Sequence, residues 1–199
     1  MPELINYKRN LPHQLLPGEA IFITFRLAGS LPQQVLARLQ EEAQLLTIAR
    51  HHNPEQVYAE QKRYFGRFDA LLDGSNYGPT WLEQADVAQV VTQSIHHFDT
   101  RNYELLCYCL MPNHVHLLVM LPPEAPSLLR TLQRIKGYTA LQANKLLGRT
   151  GTFWQAESYD HVVRPGELER IVEYILVNPE KAGLVAEWQQ WPYSYMAQL

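Results

Sequence analysis

Cysteine is scarce in this chain, and long apolar runs are missing from it. The 199 residues include two cysteines, Cys107 and Cys109, two positions apart on a predicted strand. That spacing is poor for mutual pairing, so we expect both to be reduced core residues. No apolar segment approaches the length of a membrane span, and the N-terminal residues lack the basic and apolar regions of a secretory signal. The composition predicts a cytoplasmic protein with no membrane partner.

Acidic residues are absent from one segment. Residues 125–156 contain five cations and no Asp or Glu, whereas residues 41–100 contain nine acidic residues against four cations. The net charge of −3 therefore hides one basic and one acidic segment. A basic helix face can simply be solvated, but the complete lack of acids favours a polyanionic partner. The five cations are Arg130, Arg134, Lys136, Lys145 and Arg149.

The most informative motif is His114-Val115-His116, at the start of a predicted strand. Side chains at i and i+2 of a strand lie on the same face, so the two imidazoles are expected side by side. Such a pair can hold a divalent metal. A zinc hydrolase is one reading of this pair, but no HExxH sequence accompanies it.

The hydrophobic pattern predicts an α+β fold. Strands are expected at 20–27, 103–111, 114–121 and around 159–164, and helices at 32–49, 81–98, 127–147 and 165–177. Residues 51–80 are expected to be irregular and polar, and the aromatic tail at 188–195 is expected to pack on the body. The β-α-β-β-α-β order is typical of a ferredoxin-like antiparallel sheet with helices packed on one face.

A second constellation lies on the helix predicted after Pro165. One stripe of this helix is apolar and suits a core, and Tyr174 lies roughly opposite it, with Asn178 one turn further on. Tyr174 can be a tyrosine packed against a neighbour. It can also stand beside a metal bound by two histidines and the Asn178 amide oxygen.

Four stretches together resemble the REP-associated tyrosine transposases, which belong to the single-tyrosine HUH transposases of bacterial insertion sequences. They are His114-Val-His116 after Met-Pro-Asn, Gly151-Thr-Phe-Trp-Gln155, His161-Val-Val-Arg164 and the run from Tyr174 to Val185. The resemblance covers roughly residues 15–30 and 103–196. It implies an HUH nuclease core in a single transposase domain over residues 1–199, with a helical insertion at 31–100.

The resemblance implies metal-dependent cleavage and strand transfer of single-stranded DNA through a covalent phosphotyrosine, on hairpin-forming palindromic repeats. Tyr174 is then the nucleophile, and His114, His116 and Asn178 hold Mg²⁺ or Mn²⁺. The partner is single-stranded or hairpin DNA, and the protein acts as a monomer or a homodimer. A domesticated, non-catalytic hairpin-binding protein is the alternative, against which the intact histidines and tyrosine argue. The group that takes the tyrosine proton is not identified by the sequence.

Further residues are candidates for DNA contacts or for structural roles. The DNA-binding candidates are Arg26, Arg130, Arg134, Lys136, Lys145, Arg149, Trp154 and Arg164. Trp154 can stack a base or belong to the core, and Tyr138 can pack or contact DNA. We interpret His161 as structural and the pairs His51-His52 and His96-His97 as surface residues. Asp69, Asp73 and Glu83 are expected to face solvent.

Overall fold

Seven strands and six helices form the part of the chain that the structure describes, a computed structural model covering residues 5–8, 12–15, 18–49, 54–74 and 77–198. The strands are β1 (Ile5–Lys8), β2 (Pro12–Leu15), β3 (Ala20–Leu27), β4 (Glu104–Leu110), β5 (His114–Met120), β6 (Trp154–Val162) and β7 (Ser194–Met196). The helices are α1 (Gln33–Ala49), α2 (Pro54–Asp73), α3 (Ala85–Phe98), α4 (Leu128–Leu146), α5 (Leu168–Leu176) and α6 (Asn178–Lys181). Across these ranges, none of the helices has the length and apolar character that crossing a membrane requires. The predicted surface pair His51-His52 lies outside the described residues.

The main sheet is antiparallel and has the strand order β6-β3-β5-β4-β7, while β1 and β2 pair separately. The elements β3-α3-β4-β5-α4-β6 follow the β-α-β-β-α-β order that the sequence predicts. The α+β, ferredoxin-like fold is therefore confirmed. β6 begins at Trp154, five residues before the predicted start at 159.

Strand alternation divides the buried residues of the sheet between two cores. Ile21, Ile23 and Phe25 of β3 join the apolar sides of α3 and α4 in the first core. Ala20 and Phe22 point the other way and join α5 and Phe65 of α2 in the second. The prediction that helices pack on one face holds for α3 and α4. In the structure, α2 and α5 also cover the opposite face.

The largest difference from the sequence-based expectation is α2. Residues 51–80 were expected to be irregular because of turn signals at Asn53-Pro54 and Asp73-Gly74, yet residues 54–73 form a helix of 20 residues. Proline is favoured in the first turn of a helix and glycine just beyond its end, so these signals mark the two ends of one helix. The expected loop is therefore wrong, and its acidic residues lie on a packed helix.

The aromatic tail packs on the body, as expected. Trp191 donates its indole N–H to the Leu110 carbonyl at 2.8 Å, and Tyr195 stacks on Tyr108 with ring centroids 5.4 Å apart. Cys107 and Cys109 are both buried and unpaired, in agreement with the expectation that they do not form a disulfide.

Candidate metal and nucleophile site

Two adjacent strands place the histidine pair at the centre of the second core. His114 and His116 alternate with apolar residues on β5 and lie opposite Arg26 and Thr24 of β3. Both imidazoles are fully buried, and the His116 ring stacks on Phe22 at 5.5 Å between centroids. The two Nε2 atoms are only 3.0 Å apart. The expected side-by-side arrangement on one strand face is thus present.

Neighbouring polar groups fix how the imidazoles are turned. Asn113 donates its amide N–H to the Leu72 carbonyl at 3.0 Å, which orients its Oδ1 toward His114 Nδ1 at 2.6 Å. Because an amide oxygen only accepts, His114 carries its proton on Nδ1 and presents an Nε2 lone pair. His116 Nδ1 lies 2.8 Å from the Thr24 hydroxyl, which can donate or accept. His116 can therefore also direct a lone pair from Nε2.

Two carboxylates from α2 complete the cluster. Asp69 Oδ1 lies 3.3 Å from His116 Nε2 and 3.9 Å from His114 Nε2, and Asp73 Oδ1 lies 3.6 Å from His114 Nε2. Neither oxygen has a hydrogen-bond partner among the described residues. One ligand atom each from Asp69, His114 and His116 falls within 4.8 Å of the others, a geometry that a single metal ion can span.

Burial and neighbouring charges set His114 and Asp69 in the forms that bind a cation. Burial lowers the pKa of His114 to about 3, and the neighbouring His116 adds to the shift, so its imidazole is neutral at pH 7. Burial opposes ionisation of Asp69, but the histidines and the Tyr174 hydroxyl hold its pKa well below the usual range. Burial and the charge of Asp69 raise the pKa of Asp73 to about 7. Unpartnered oxygens facing imidazole nitrogens fit a divalent cation.

Tyr174 reaches this cluster from α5. Its hydroxyl donates a hydrogen bond to Asp69 Oδ2, and its ring lies 6.0 Å from that of His116 and 6.1 Å from that of Phe22. Lys181 lies over the tyrosine ring at 4.9 Å. Burial, reinforced by Asp69, raises the pKa of the phenol well above its usual range. The structure thus brings His114, His116 and Tyr174 together within one chain, with Asp69 between them.

Asn178, the expected third ligand, lies on the same side of the fold but not on the same helix as Tyr174. α5 ends at Leu176, and Asn178 begins α6. Its side chain is 1% exposed, and neither amide atom has a hydrogen-bond partner among the described residues. A buried, unpartnered amide is costly unless it serves a ligand. Its role as a metal ligand stays a prediction.

The expected solvent exposure of Asp69 and Asp73 is wrong. Phe65, Phe68 and Leu72 form an apolar stripe along α2, and Asp69 lies within it at helical spacing. A carboxylate inside an apolar stripe is the sequence signal that identifies this residue. It becomes visible only once residues 54–73 are recognised as a helix. Glu83 and the pair His96-His97 are exposed, as expected.

The basic segment lies on the other side of the sheet from Tyr174. α4 packs through Leu128, Leu132 and Ile135 against the first core, whereas the histidine cluster belongs to the second face. Arg130, Arg134 and Lys145 are exposed on the outer side of α4, with Tyr138, which is 56% exposed.

Several other DNA-binding candidates serve internal contacts. Lys136 donates to the Ala156 carbonyl at 3.0 Å and to Ser158 Oγ at 3.2 Å. Arg149 lies 3.9 Å over the Trp81 ring and donates to Asn144 Oδ1 at 2.6 Å. The buried Arg26 donates to Ser30 Oγ at 3.0 Å.

Trp154 is a core residue and not a base-stacking platform. Its side chain is 5% exposed, and its indole N–H donates to Thr139 Oγ1 at 2.9 Å. The ring packs edge-on against Phe25 at 4.9 Å in the first core. Of the remaining candidates, Arg164 is exposed just beyond β6, and His161 packs edge-on against Phe22 at 5.4 Å.

Comparisons with known proteins show which family the chain is similar to. The family model described as "Transposase IS200 like" matches residues 76–178. A putative REP-associated tyrosine transposase of Haemophilus influenzae is 28% identical over 102 residues, covering 46% of this chain and 58% of that protein. A REP-associated tyrosine transposase of Escherichia coli is 27% identical over 95 residues, covering 47% of this chain and 54% of that protein. The chain thus spans little more than half the length of these curated relatives.

A solved structure of a REP-associated tyrosine transposase bound to a REP hairpin has the same fold. It superposes with a TM-score of 0.51 at 18% identity, covering 94% of this chain and 80% of that chain. At this identity the match concerns the fold alone. Because the family model covers more than half of the sequence, including the histidine pair and Tyr174, this chain belongs to the IS200-like transposase family, as the resemblance predicted.

Proposed function

We propose that this protein is a metal-dependent single-stranded DNA endonuclease and strand transferase that acts through a covalent link to Tyr174. The observation that carries the proposal is the contact between the Tyr174 hydroxyl and a buried cluster of metal-ligating side chains in the same chain. The curated relatives and the hairpin-bound structural neighbour support hairpin-forming DNA as the substrate.

The chemistry follows from the two kinds of group at the site. The Tyr174 oxygen forms a bond to phosphorus and loses its proton, while the bond from phosphorus to the 3′ oxygen breaks and that oxygen gains a proton. The phosphotyrosine keeps a phosphate ester bond, so a 3′ hydroxyl can later reverse the reaction and join a strand without ATP. Side-chain packing against Phe22 and the hydrogen bond to Asp69 hold the tyrosine in place.

His114 and His116 would hold the ion throughout, Asp69 would join them while α2 is docked, and Asn178 is a further candidate. A divalent ion supplies charge neutralisation and orientation of the phosphate when it is bound. Two imidazoles and a carboxylate suit Mn²⁺ better than Mg²⁺, which prefers oxygen ligands alone. We therefore propose that Mn²⁺ binds more tightly, with Mg²⁺ able to serve.

A covalent adduct assay tests the proposal. The protein is incubated with single-stranded oligonucleotides that carry hairpins, in Mg²⁺ or Mn²⁺, and analysed on a denaturing gel. We expect a DNA–protein adduct from the unaltered protein and none from Tyr174→Phe, since the phenylalanine lacks the nucleophilic oxygen. Tyr77→Phe is the matched control, because it removes a hydroxyl from an exposed tyrosine that belongs neither to the cluster nor to the α4 surface. An adduct that survives Tyr174→Phe rules out this nucleophile.

A non-catalytic hairpin-binding protein is the second candidate. The complete burial of His114 and His116 favours it, because a buried cluster offers no open path to a phosphate. This candidate predicts hairpin binding without any adduct in either metal.

The DNA interface and the assembly are also proposals. The exposed cations of α4, Arg130, Arg134 and Lys145, offer phosphate contacts on the side of the sheet away from Tyr174. Because β5, α2 and α5 of one chain supply the whole cluster, a monomer can act without exchanging its tyrosine helix. A homodimer that keeps this arrangement is equally compatible with it.

A further inference from the structure

The histidine cluster is closed to any phosphate while α2 is docked. Both imidazoles are 0% exposed, and the side chain of Asp69 is 2% exposed. Catalytic metal sites keep a position open for substrate, whereas sites filled by protein ligands are structural. A nucleophile must also approach its target atom to about 3–3.5 Å. A DNA phosphate therefore needs space beside both the histidines and Tyr174, and α2 fills it.

One carboxylate stands between the cluster and the nucleophile. Asp69 Oδ1 faces the two Nε2 atoms, at 3.3 and 3.9 Å, and Asp69 Oδ2 accepts the hydrogen bond from Tyr174. Two oxygens of a phosphodiester under attack by Tyr174 need the same two neighbours. We propose that the Asp69 carboxylate occupies the position of the scissile phosphate, and that α2 must withdraw it before DNA is cleaved. This inference rests on the proposed function.

Space makes the two occupants mutually exclusive. The Asp69 oxygens already lie beside the two Nε2 atoms and the Tyr174 hydroxyl, and without a cation the repulsion between a buried carboxylate and a phosphodiester adds to this exclusion. Asp73 Oδ1, 3.6 Å from His114 Nε2, adds a second acidic group to the same space. Asp69 and Asp73 are one turn apart on α2, so movement of this one helix withdraws both carboxylates together.

α2 is held to the rest of the protein by side-chain contacts, which can break without unfolding the sheet. Phe65 stacks on Tyr159 at 4.2 Å and meets Phe22 edge-on at 5.2 Å. Lys62 pairs with Glu167, just before α5, and Leu72 accepts a hydrogen bond from Asn113 at 3.0 Å. α2 is not a member of the sheet, so its departure breaks no strand pairing. The histidines, on β5, and Tyr174, on α5, stay in place when α2 leaves.

Access of a phosphate to the site can be measured without DNA cleavage. The protein is loaded with Mn²⁺, and the ³¹P relaxation of dimethyl phosphate is recorded, because a paramagnetic ion broadens the signal only of a phosphate that approaches it closely. We expect little broadening with the unaltered protein. Asp69→Ala opens the position, and the apparent affinity for dimethyl phosphate should rise on the order of tenfold.

Two further variants test whether the effect depends on the charge of Asp69 and on its position in α2. Asp69→Asn preserves the shape of the side chain while removing its charge. We expect its apparent affinity for dimethyl phosphate to lie between that of the unaltered protein and that of Asp69→Ala. Glu60→Ala removes a carboxylate from α2 about two and a half turns away from Asp69 and should behave like the unaltered protein. Mn²⁺ binding is measured for each variant by calorimetry, and relaxation is compared at saturating metal.

The outcomes separate this inference from the proposed function. If the unaltered protein and Asp69→Ala broaden the signal equally, phosphate enters beside a docked α2 and the inference is wrong. A slower adduct rate for folded, metal-saturated Asp69→Ala also overturns it, since Asp69 is then required and not inhibitory. A faster rate supports it. Should no protein form an adduct, the proposed function fails while the relaxation result still decides whether Asp69 blocks the phosphate position.

Discussion

At the scale of single residues, the hydroxyl of Thr24 is compatible with either tautomer of His116. It lies 2.8 Å from His116 Nδ1 and can either donate to that nitrogen or accept from it. When it accepts, the imidazole carries its proton on Nδ1 and offers Nε2 to a cation. His114 has no such choice, because the Asn113 oxygen on its Nδ1 only accepts. The contact of Asn113 with His114 therefore selects one tautomer, whereas the contact of Thr24 with His116 allows both.

The first prediction concerns this hydroxyl. Thr24→Val keeps the side-chain shape but removes the group that orients His116, so we expect Mn²⁺ affinity to fall by about 10–100-fold. Thr24→Ser retains the hydroxyl and should stay within about threefold of the unaltered protein. Isothermal calorimetry at constant pH measures both. Equal affinities for the valine and serine variants show that the hydroxyl does not support the ligand.

The second prediction concerns His161, whose ring nitrogens have no hydrogen-bond partner among the described residues. Burial lowers the pKa of His161 to about 4, and the charge of Lys62 adds to the shift, against 6.5 for the free side chain. A depressed histidine pKa contributes stability that is present above pH 6.5 and is lost as the pH falls toward 4, since the unfolded chain takes up the proton first.

Urea unfolding of the metal-free protein checks this linkage. Between pH 6.5 and about 4.5, the unaltered protein should lose roughly 1–2 kcal/mol more unfolding free energy than His161→Gln. Groups that both proteins share cancel in the difference. His97→Gln, which replaces an exposed histidine, should follow the unaltered protein. Parallel curves for the unaltered protein and His161→Gln contradict a buried neutral histidine at this position.

At the scale of elements, the sequence predicts a strand or helix that has a clear apolar pattern and misses one whose apolar pattern is weak. The boundaries of β3, residues 20–27, are as predicted, because a central strand that is buried on both faces is apolar along nearly its whole length. The helix at residues 54–73 was missed because its apolar residues cover only a narrow stripe and its ends carry turn signals. Asp69 was missed with it, since a carboxylate in a supposed loop gives no reason to expect burial.

The third prediction concerns the docking of α2. Phe65→Ala removes the ring that packs between Tyr159 and Phe22, and loss of a buried phenylalanine costs about 3–5 kcal/mol. We expect α2 to detach before the sheet unfolds, because its contacts are with side chains and not with the strand hydrogen bonds. Hydrogen exchange of the α2 amides should then accelerate on the order of tenfold or more, with exchange in β5 unchanged.

Leu71→Ala is the matched control for this experiment. It shortens a side chain on the same helix, but Leu71 is 41% exposed and lies away from the second core. We expect its exchange pattern to match that of the unaltered protein. If Phe65→Ala accelerates exchange in β5 and α2 equally, the helix and the sheet unfold together, and α2 is not a separable element.

At the scale of the whole molecule, the sheet separates two groups of candidate residues by its thickness. The cluster and Tyr174 lie on the face that α2 and α5 cover, whereas the exposed cations of α4 lie beyond the helices of the opposite face. A basic helix is easily predicted from composition, but whether the histidines face that helix or the opposite side of the sheet depends on the register of β3 and β5. A one-residue slip in that register would place the histidines beneath α4. The sequence therefore predicted both sets of residues without predicting that they face opposite ways.

The last prediction follows from this separation. Replacing Arg130 and Arg134 by Glu removes exposed cations from the outer side of α4, so DNA binding should weaken and become less sensitive to salt. For two lost phosphate contacts with a single strand, the slope of log affinity against log salt should decrease by about 1.4. Each single substitution should give about half that change, and Arg38→Glu, on α1, should leave the slope as it is. Mn²⁺ affinity should be unchanged in all of these variants, because the sheet lies between α4 and the histidines. An equal loss of affinity in Arg38→Glu would mean that net charge, and not the α4 surface, governs DNA binding.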